Sequence, residues 1–255
     1  MSSLFVSVLR QAIKTFDRAN SAAFNVNFAK LKQLTEQLTF RDIHLQPQQF
    51  ETVFKRSGRA PCTFVHIFEN DFLSMSVFVL REGYTMPLHD HPCMYGVLRG
   101  IFGKLRIQSY TKAQLEPNEP PYDGIALEVY AHENEPKIVD SGTECATLTP
   151  IERNYHEITA VGGVAAFFDI LSPPYDADIP KYGSRQCSFY RVLGKQPSTG
   201  ININSGLVEE QAENAPLTYL QWIPAPLNYH CDILDTPEEV LQSTAPFLED
   251  ENNLF

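Results

Sequence analysis

The sequence predicts a mainly β domain, a sandwich or barrel, carried behind two α-helices. Three observations predict it. From about residue 60 the chain is a succession of short β-rich runs separated by Gly, Pro, Asn and Asp: CTFVHIFEN (62–70), FLSMSVFVLRE (72–82), YGVLRGIFGKLRIQSYT (95–111), IALEVYAHE (125–133), PKIVDSG (136–142), CATLTP (145–150), NYHEITAVG (154–162), VAAFFDILSP (164–173) and CSFYRVL (187–193). Many short strands at this spacing belong to two-layer or closed β architectures. Before them, residues 4–17 and 28–39 place apolar residues at intervals of three and four, the helical period. Finally, 255 residues with 43% hydrophobic content suffice for one large core.

Domain organisation follows from these elements. Residues 1–59 read as a helical segment packed on the β domain, with NSAAFNVN (20–27) as a linker, 60–236 as the β domain, and 237–255 as an acidic tail. Long loops are expected at 111–124 and 194–216, and no internal repeat is visible. The formal net charge is −11. Such a field repels nucleic acid and anionic membrane surfaces and weakly attracts an amine or a basic peptide. No run of about 20 apolar residues marks a membrane span. The N-terminus lacks the charged leader and clean apolar run of a secretory signal. Five cysteines, an odd number without tight spacing, fit free thiols in a reducing compartment, so a cytoplasmic monomer is expected.

The chemistry concentrates in REGYTMPLHDHPCMYGVLRGIFG (81–103). On a strand, His89 and His91 share one face and Asp90 points to the other, as two metal ligands require. Read alone, HDHP also fits a polar turn. Gly83 stands six residues before His89, and Gly96 and Gly103 follow. This pattern resembles the first motif of the cupin superfamily, G-x5-H-x-H-x3,4-E-x6-G, whose fold is a jelly-roll β-barrel. The motif's Glu falls at Tyr95 or Gly96, and only Gly96 keeps the spacing to Gly103, so the carboxylate ligand is absent. His156, behind Pro150 in TLTPIERNYHEITA, loosely fits the second cupin motif. Alone it is also a surface histidine beside Glu157. The histidines at 44, 66, 132 and 230 have no paired spacing.

Three imidazoles without a carboxylate differ from the two-His-one-carboxylate iron oxygenases. Such a set leaves a divalent metal its full charge, which favours an anionic ligand such as a thiolate. At this point the chain resembles the cysteamine (2-aminoethanethiol) dioxygenases and plant cysteine oxidases, through MPLHDHPCMYGVL (86–98), HEITAVGGVAAFFDILSPPYD (156–176) and CSFYRVL (187–193), with an echo at TYLQWIPAP. The resemblance spans roughly residues 28–193. It implies a cupin-fold iron enzyme in which His89, His91 and His156 bind Fe(II) and O2 is the co-substrate. The substrate would be cysteamine or a peptide or protein with an N-terminal cysteine, and the product a sulfinic acid. Oxidised N-terminal cysteine would mark proteins for oxygen-dependent degradation.

Asp169 and Tyr175 match family positions near the substrate. Asp169 is expected to hold an ammonium or a group near the iron, and Tyr175 to donate to bound oxygen. Their bland readings are a carboxylate capping the Pro-rich turn and a ring packing it. Two departures stand out. Cys93 occupies a place where the family usually has Gly. Phe189 lies where animal enzymes carry the tyrosine of a Cys–Tyr crosslink, so no crosslink is expected at Cys187, and Tyr190 would turn to the other face. The competing functions are a non-catalytic cupin that senses a metal or ligand, and a cupin isomerase using Zn(II) or Mn(II). The first has no need of Asp169 and the SPPYD turn. The second usually keeps the Glu that Gly96 replaces.

Overall fold

A computed structural model describes residues 3–17, 22–54, 58–114, 120, 122–196 and 216–249. Ser3 caps α1 (Leu4–Phe16), its hydroxyl oxygen accepting from the Val6 N–H at 3.3 Å. Phe5, Val8, Leu9, Ala12 and Phe16 form the buried face of α1. Helix α2 (Phe24–Thr35) begins and ends four residues earlier than the expected 28–39. The cause is tertiary. Phe24 and Phe28 stack on each other and on Tyr95, at ring distances of 4.7 Å and 6.0 Å from it. That draws part of the expected linker into the helix. A third helix, α3 (Pro47–Val53), was not expected. Pro47 and a Gln46–Gln49 capping box start it, and Phe50 buries against Phe102.

Each of the nine β-rich runs contains a strand. In chain order the strands are β1 (Cys62–Asn70), β2 (Leu73–Leu80), β3 (Thr85–Asp90), β4 (Tyr95–Phe102), β5 (Leu105–Lys112), β6 (Glu128–Glu133), β7 (Lys137–Val139), β8 (Ala146–Leu148), β9 (Tyr155–Ala160) and β10 (Ala165–Ser172). They continue with β11 (Asp178–Ile179), β12 (Gly183–Ser184), β13 (Phe189–Gln196), β14 (Leu217–Ile223) and β15 (Cys231–Leu234). One sheet has the order β15-β1-β2-β10-β4-β8. The other runs β6-β14-β13-β3-β9-β5-β7, and β6 also pairs with β5, which folds that sheet back on itself. This is the expected mainly β, cupin-type jelly roll with helices at its N-terminus.

Strand alternation divides the apolar residues between two cores. Phe168, Ile170, Val77, Val79, Val97 and Ile101 face outward and pack under α1 and α2. Phe167, Leu98 and Leu80 face inward and meet Leu105, Ile107 and Ile158 of the second sheet. Residues 238–249 form α4 (Glu238–Glu249) within the stretch expected as an acidic tail. Val240 is buried in the outer core and Phe247 packs against it and under Arg10. Glu238 and Glu239 in its first turn suit the positive end of the helix dipole. No helix among the described residues is long and apolar enough to cross a membrane.

Arg99 ties these layers together. It is buried on β4, and its guanidinium donates to the carbonyls of Leu38 (3.3 Å), Thr143 (2.6 Å) and Ser141 (2.7 Å). Arg99→Met leaves three carbonyls without their donor. At about 1 kcal/mol or more for each, unfolding should become easier by roughly 3 kcal/mol. An unchanged urea midpoint would show that water or a shifted neighbour replaces the guanidinium.

Candidate metal centre

The centre is built where β3 lies beside β9. His89 and His156 are direct partners in that antiparallel pair, after a register shift between Met86 and His89. His91 follows the last residue of β3. The three rings converge, with centroids 4.8 Å (His89–His91), 4.8 Å (His89–His156) and 4.5 Å (His91–His156) apart. One donor nitrogen from each lies within 4.8 Å of the others. Two metal–nitrogen bonds of about 2.1 Å span at most about 4.2 Å, so an ion held by all three would need the widest pair no farther apart than that. Asp90 points the other way, as expected. Its carboxylate accepts from the Ser188 N–H at 2.8 Å and the Tyr190 hydroxyl at 3.4 Å, which straps β13 onto β3.

Backbone carbonyls orient two of the rings. His89 Nδ1 faces the Pro87 carbonyl at 2.8 Å and His91 Nδ1 faces that of Asn154 at 3.1 Å. A carbonyl only accepts, so these nitrogens carry the protons and each Nε2 keeps a lone pair for a ligand. Burial is the main force on all three titrations. It holds His89 down at about 4. Burial and then His89 hold His91 well below its ordinary value, and burial, His91 and His89 do the same to His156. All three are therefore neutral at pH 7, the form that binds a metal. The donor set fits one metal ion.

Asp169, on β10, lines two cavities that both reach His156. One, of about 380 Å3, also includes His89, His91 and Tyr175, and the other, of about 550 Å3, opens past Gly96 and Lys137. Burial pushes the Asp169 carboxyl up to about 7, against a hydrogen bond from the Ile170 backbone that favours its ionised form. Among the described residues it has no ion-pair partner. The Tyr175 ring lies 5.8 Å from that of His91. Its hydroxyl donates to the Asp90 carbonyl at 2.5 Å and also touches the Cys187 thiol. Tyr190, as expected, turns from Cys187 toward Tyr155 and Asp90. Phe189 faces His89 and Tyr229.

The motif's glycines have visible causes. Gly103 has φ +64°, and a Cβ there would stand 2.2 Å from the Val164 carbonyl oxygen. At Gly96 a Cβ would meet Leu148 Cγ at 2.9 Å and Leu171 Cδ2 at 3.1 Å, so leucines fill the space a ligand side chain would need. Cys93 adopts φ +55°, the left-handed region that favours the family's glycine.

Two functional residues were not found from sequence. Buried Asn154 accepts from the His91 N–H at 3.2 Å and donates to the carbonyls of His91 (2.8 Å) and Thr149 (2.9 Å). Its position two residues before His156 was the available signal. Arg185 joins the HDHP and SPPYD turns by donating to the carbonyls of Pro92 (2.7 Å) and Ala177 (3.0 Å). Nothing in its sequence surroundings marked it.

Asn154→Ala should leave the barrel folded but free the His91 backbone, and weaken metal binding about 10–100-fold in a titration with a divalent metal. Wild-type affinity would remove Asn154 from the support of the site. Gly96→Glu should lower stability by about 1–3 kcal/mol because Leu148 and Leu171 must move. Unchanged thermal stability would show that this wall yields freely.

Comparison with known proteins agrees with this geometry. The family model PCO_ADO matches residues 34–238. The human protein named 2-aminoethanethiol dioxygenase is 34% identical over 226 residues, covering 76% of this chain and 82% of the relative. Arabidopsis thaliana plant cysteine oxidase 2 is 26% identical over 189 residues, covering 72% and 63%. Among solved structures, KdgF from Halomonas sp. aligns with a TM-score of 0.33 at 12% identity, over 48% of this chain and 88% of that one. The matched span contains all three histidines together with Asn154, Asp169, Tyr175 and Arg185, and on that match the chain belongs to the PCO_ADO family.

Proposed function

We propose that the chain is an Fe(II)- and O2-dependent thiol dioxygenase in which His89, His91 and His156 hold the iron. Its substrate is a thiol-amine, the N-terminal cysteine of a peptide or the smaller cysteamine, and its product is the sulfinic acid. One observation carries this reading: three buried, neutral imidazoles converge with no carboxylate among them. Iron bound there would supply a Lewis acid for a thiolate and a redox centre through which the four electrons leaving the sulfur reach O2. A sensor without catalysis would have no use for Asp169 in the same cavities.

The chain's own residues do the rest. The imidazoles enter neutral, so no proton has to leave before they coordinate. Asp169 is a half-buried carboxyl with no ion-pair partner among the described residues, and a substrate ammonium meets that need while favouring its ionised form. Tyr175 has one phenolic proton, and the Asp90 carbonyl takes it. That bond holds the turn between His89 and His91, and the expected donation to bound oxygen would require the hydroxyl to give it up.

The roughly 380 Å3 cavity at the histidines is also lined by Tyr229, Glu69 and Asp176. These carboxylates add to the net charge of −11 and favour a basic peptide tail. Of the loops expected as further walls, 194–216 lies largely outside the described residues, as do residues 115–119 and 121 of 111–124.

His156→Ala should abolish iron retention and turnover together, because the set has no spare protein ligand. Full iron content in that variant would remove His156 from the site. Peptides beginning with cysteine should gain two oxygen atoms at that residue. A basic peptide should show higher kcat/KM than cysteamine, and the gap should narrow with salt. Acetylating the peptide amine should lower kcat/KM about 100-fold, the loss of one charge-assisted hydrogen bond. Equal rates for free and acetylated peptides would contradict amine recognition by Asp169.

A further inference from the structure

Strand β15 is the edge of the six-stranded sheet and pairs in parallel with β1, placing Cys231 directly opposite Cys62. Neighbouring strands run about 4.8 Å apart. That lies inside the Cα separation of about 4.4–6.8 Å that a disulfide requires. As register partners the two side chains project from the same face of the sheet, close enough for each thiol to influence the other. Asp232 holds the register by accepting from the Ala60 N–H at 3.2 Å and pairing with Arg59 at 3.4 Å.

The pair is asymmetric. Cys62 is fully buried, whereas Cys231 is partly exposed. The Cys62 thiol and the Tyr229 hydroxyl both contact Cys231 and favour its thiolate, while the contact with Cys231 and then burial push Cys62 up. Tyr84 packs in the same cluster, and its buried hydroxyl has no partner among the described residues. Such a donor suits an oxygen newly placed on sulfur. From this pair a short path leads to the centre. Tyr229, two residues before Cys231, packs on Phe189 at 5.3 Å, and Phe189 lies 6.4 Å from His89.

We propose that Cys62 and Cys231 are a peroxide-responsive thiol pair whose disulfide clamps β15 to β1 and fixes Tyr229 on the wall of the histidine cavity. The oxidant is a hydroperoxide. The Cys231 thiolate attacks its O–O bond, an S–O bond forms, and the departing oxygen takes the electron pair and a proton. Cys231 is then a sulfenic acid, oxidised by two electrons. Cys62 attacks that sulfur, the S–S bond forms, the S–O bond breaks, and its oxygen leaves as water. With hydrogen peroxide, two thiols and one oxidant yield one disulfide and two waters.

The test treats the full chain with equimolar hydrogen peroxide, blocks free thiols, and digests without reductant. The expected result is a linked peptide pair containing Cys62 and Cys231, lighter by two hydrogens and released by a phosphine. Amide exchange across 226–234 should slow in the oxidised protein. In Cys62→Ala the link is lost and dimedone labels Cys231. Both thiols alkylated after peroxide, or Cys231 carried to sulfinic acid in the wild type without a linked pair, would overturn the pair. A linked pair with unchanged exchange across 226–234 would overturn the clamp.

Discussion

The pairing of β3 with β9 in one register is the constraint on which the rest of the site depends. It sets His89 opposite His156, both buried inside the barrel. A slip of one residue would turn every side chain of β3 to the other face, exchanging His89 for Asp90. The surroundings oppose that slip from both sides. Asp90 is held outside by Ser188 and Tyr190, and His91 is held inside by Asn154. Arg185 then anchors the turn that follows, at Pro92.

The same burial determines the chemistry. Three imidazoles crowded in water would share protons and repel one another. Here burial keeps them neutral. The missing carboxylate is also a matter of packing. Gly96 faces Leu148 and Leu171, so the wall at this position, where the sequence motif would place a Glu, is closed by hydrocarbon. A half-buried carboxyl, Asp169, reaches the cavity from β10, on a different strand. A set of neutral donors with a carboxyl standing apart suits a substrate that brings both its own anion, the thiolate, and its own cation, the ammonium.

Much of this was legible in the sequence, for physical reasons. Strand periodicity survives because the long strands of the two sheets bury at least one face, and the H-x-H pair with its flanking glycines reports local backbone geometry. The offset of α2 was hidden because stacking of Phe24 on Tyr95 is a contact across the chain. Helix α4 looked like a tail because its buried face amounts to a few residues, Val240, Thr244 and Phe247, among acidic neighbours. Asn154 and Arg185 act through backbone carbonyls, which leave no compositional trace. The opposition of Cys62 and Cys231 needs a parallel pairing of strands from opposite ends of the domain, and spacing along the chain cannot show it.

The central claim is a three-imidazole centre that accepts a thiolate. X-ray absorption on the iron-loaded protein, recorded without O2 before and after adding a cysteine-initiated peptide, tests it most directly. The account predicts three imidazoles in both spectra and one sulfur neighbour that appears only with the peptide. A protein carboxylate on the iron, or no sulfur neighbour when peptide saturates the protein, would contradict it.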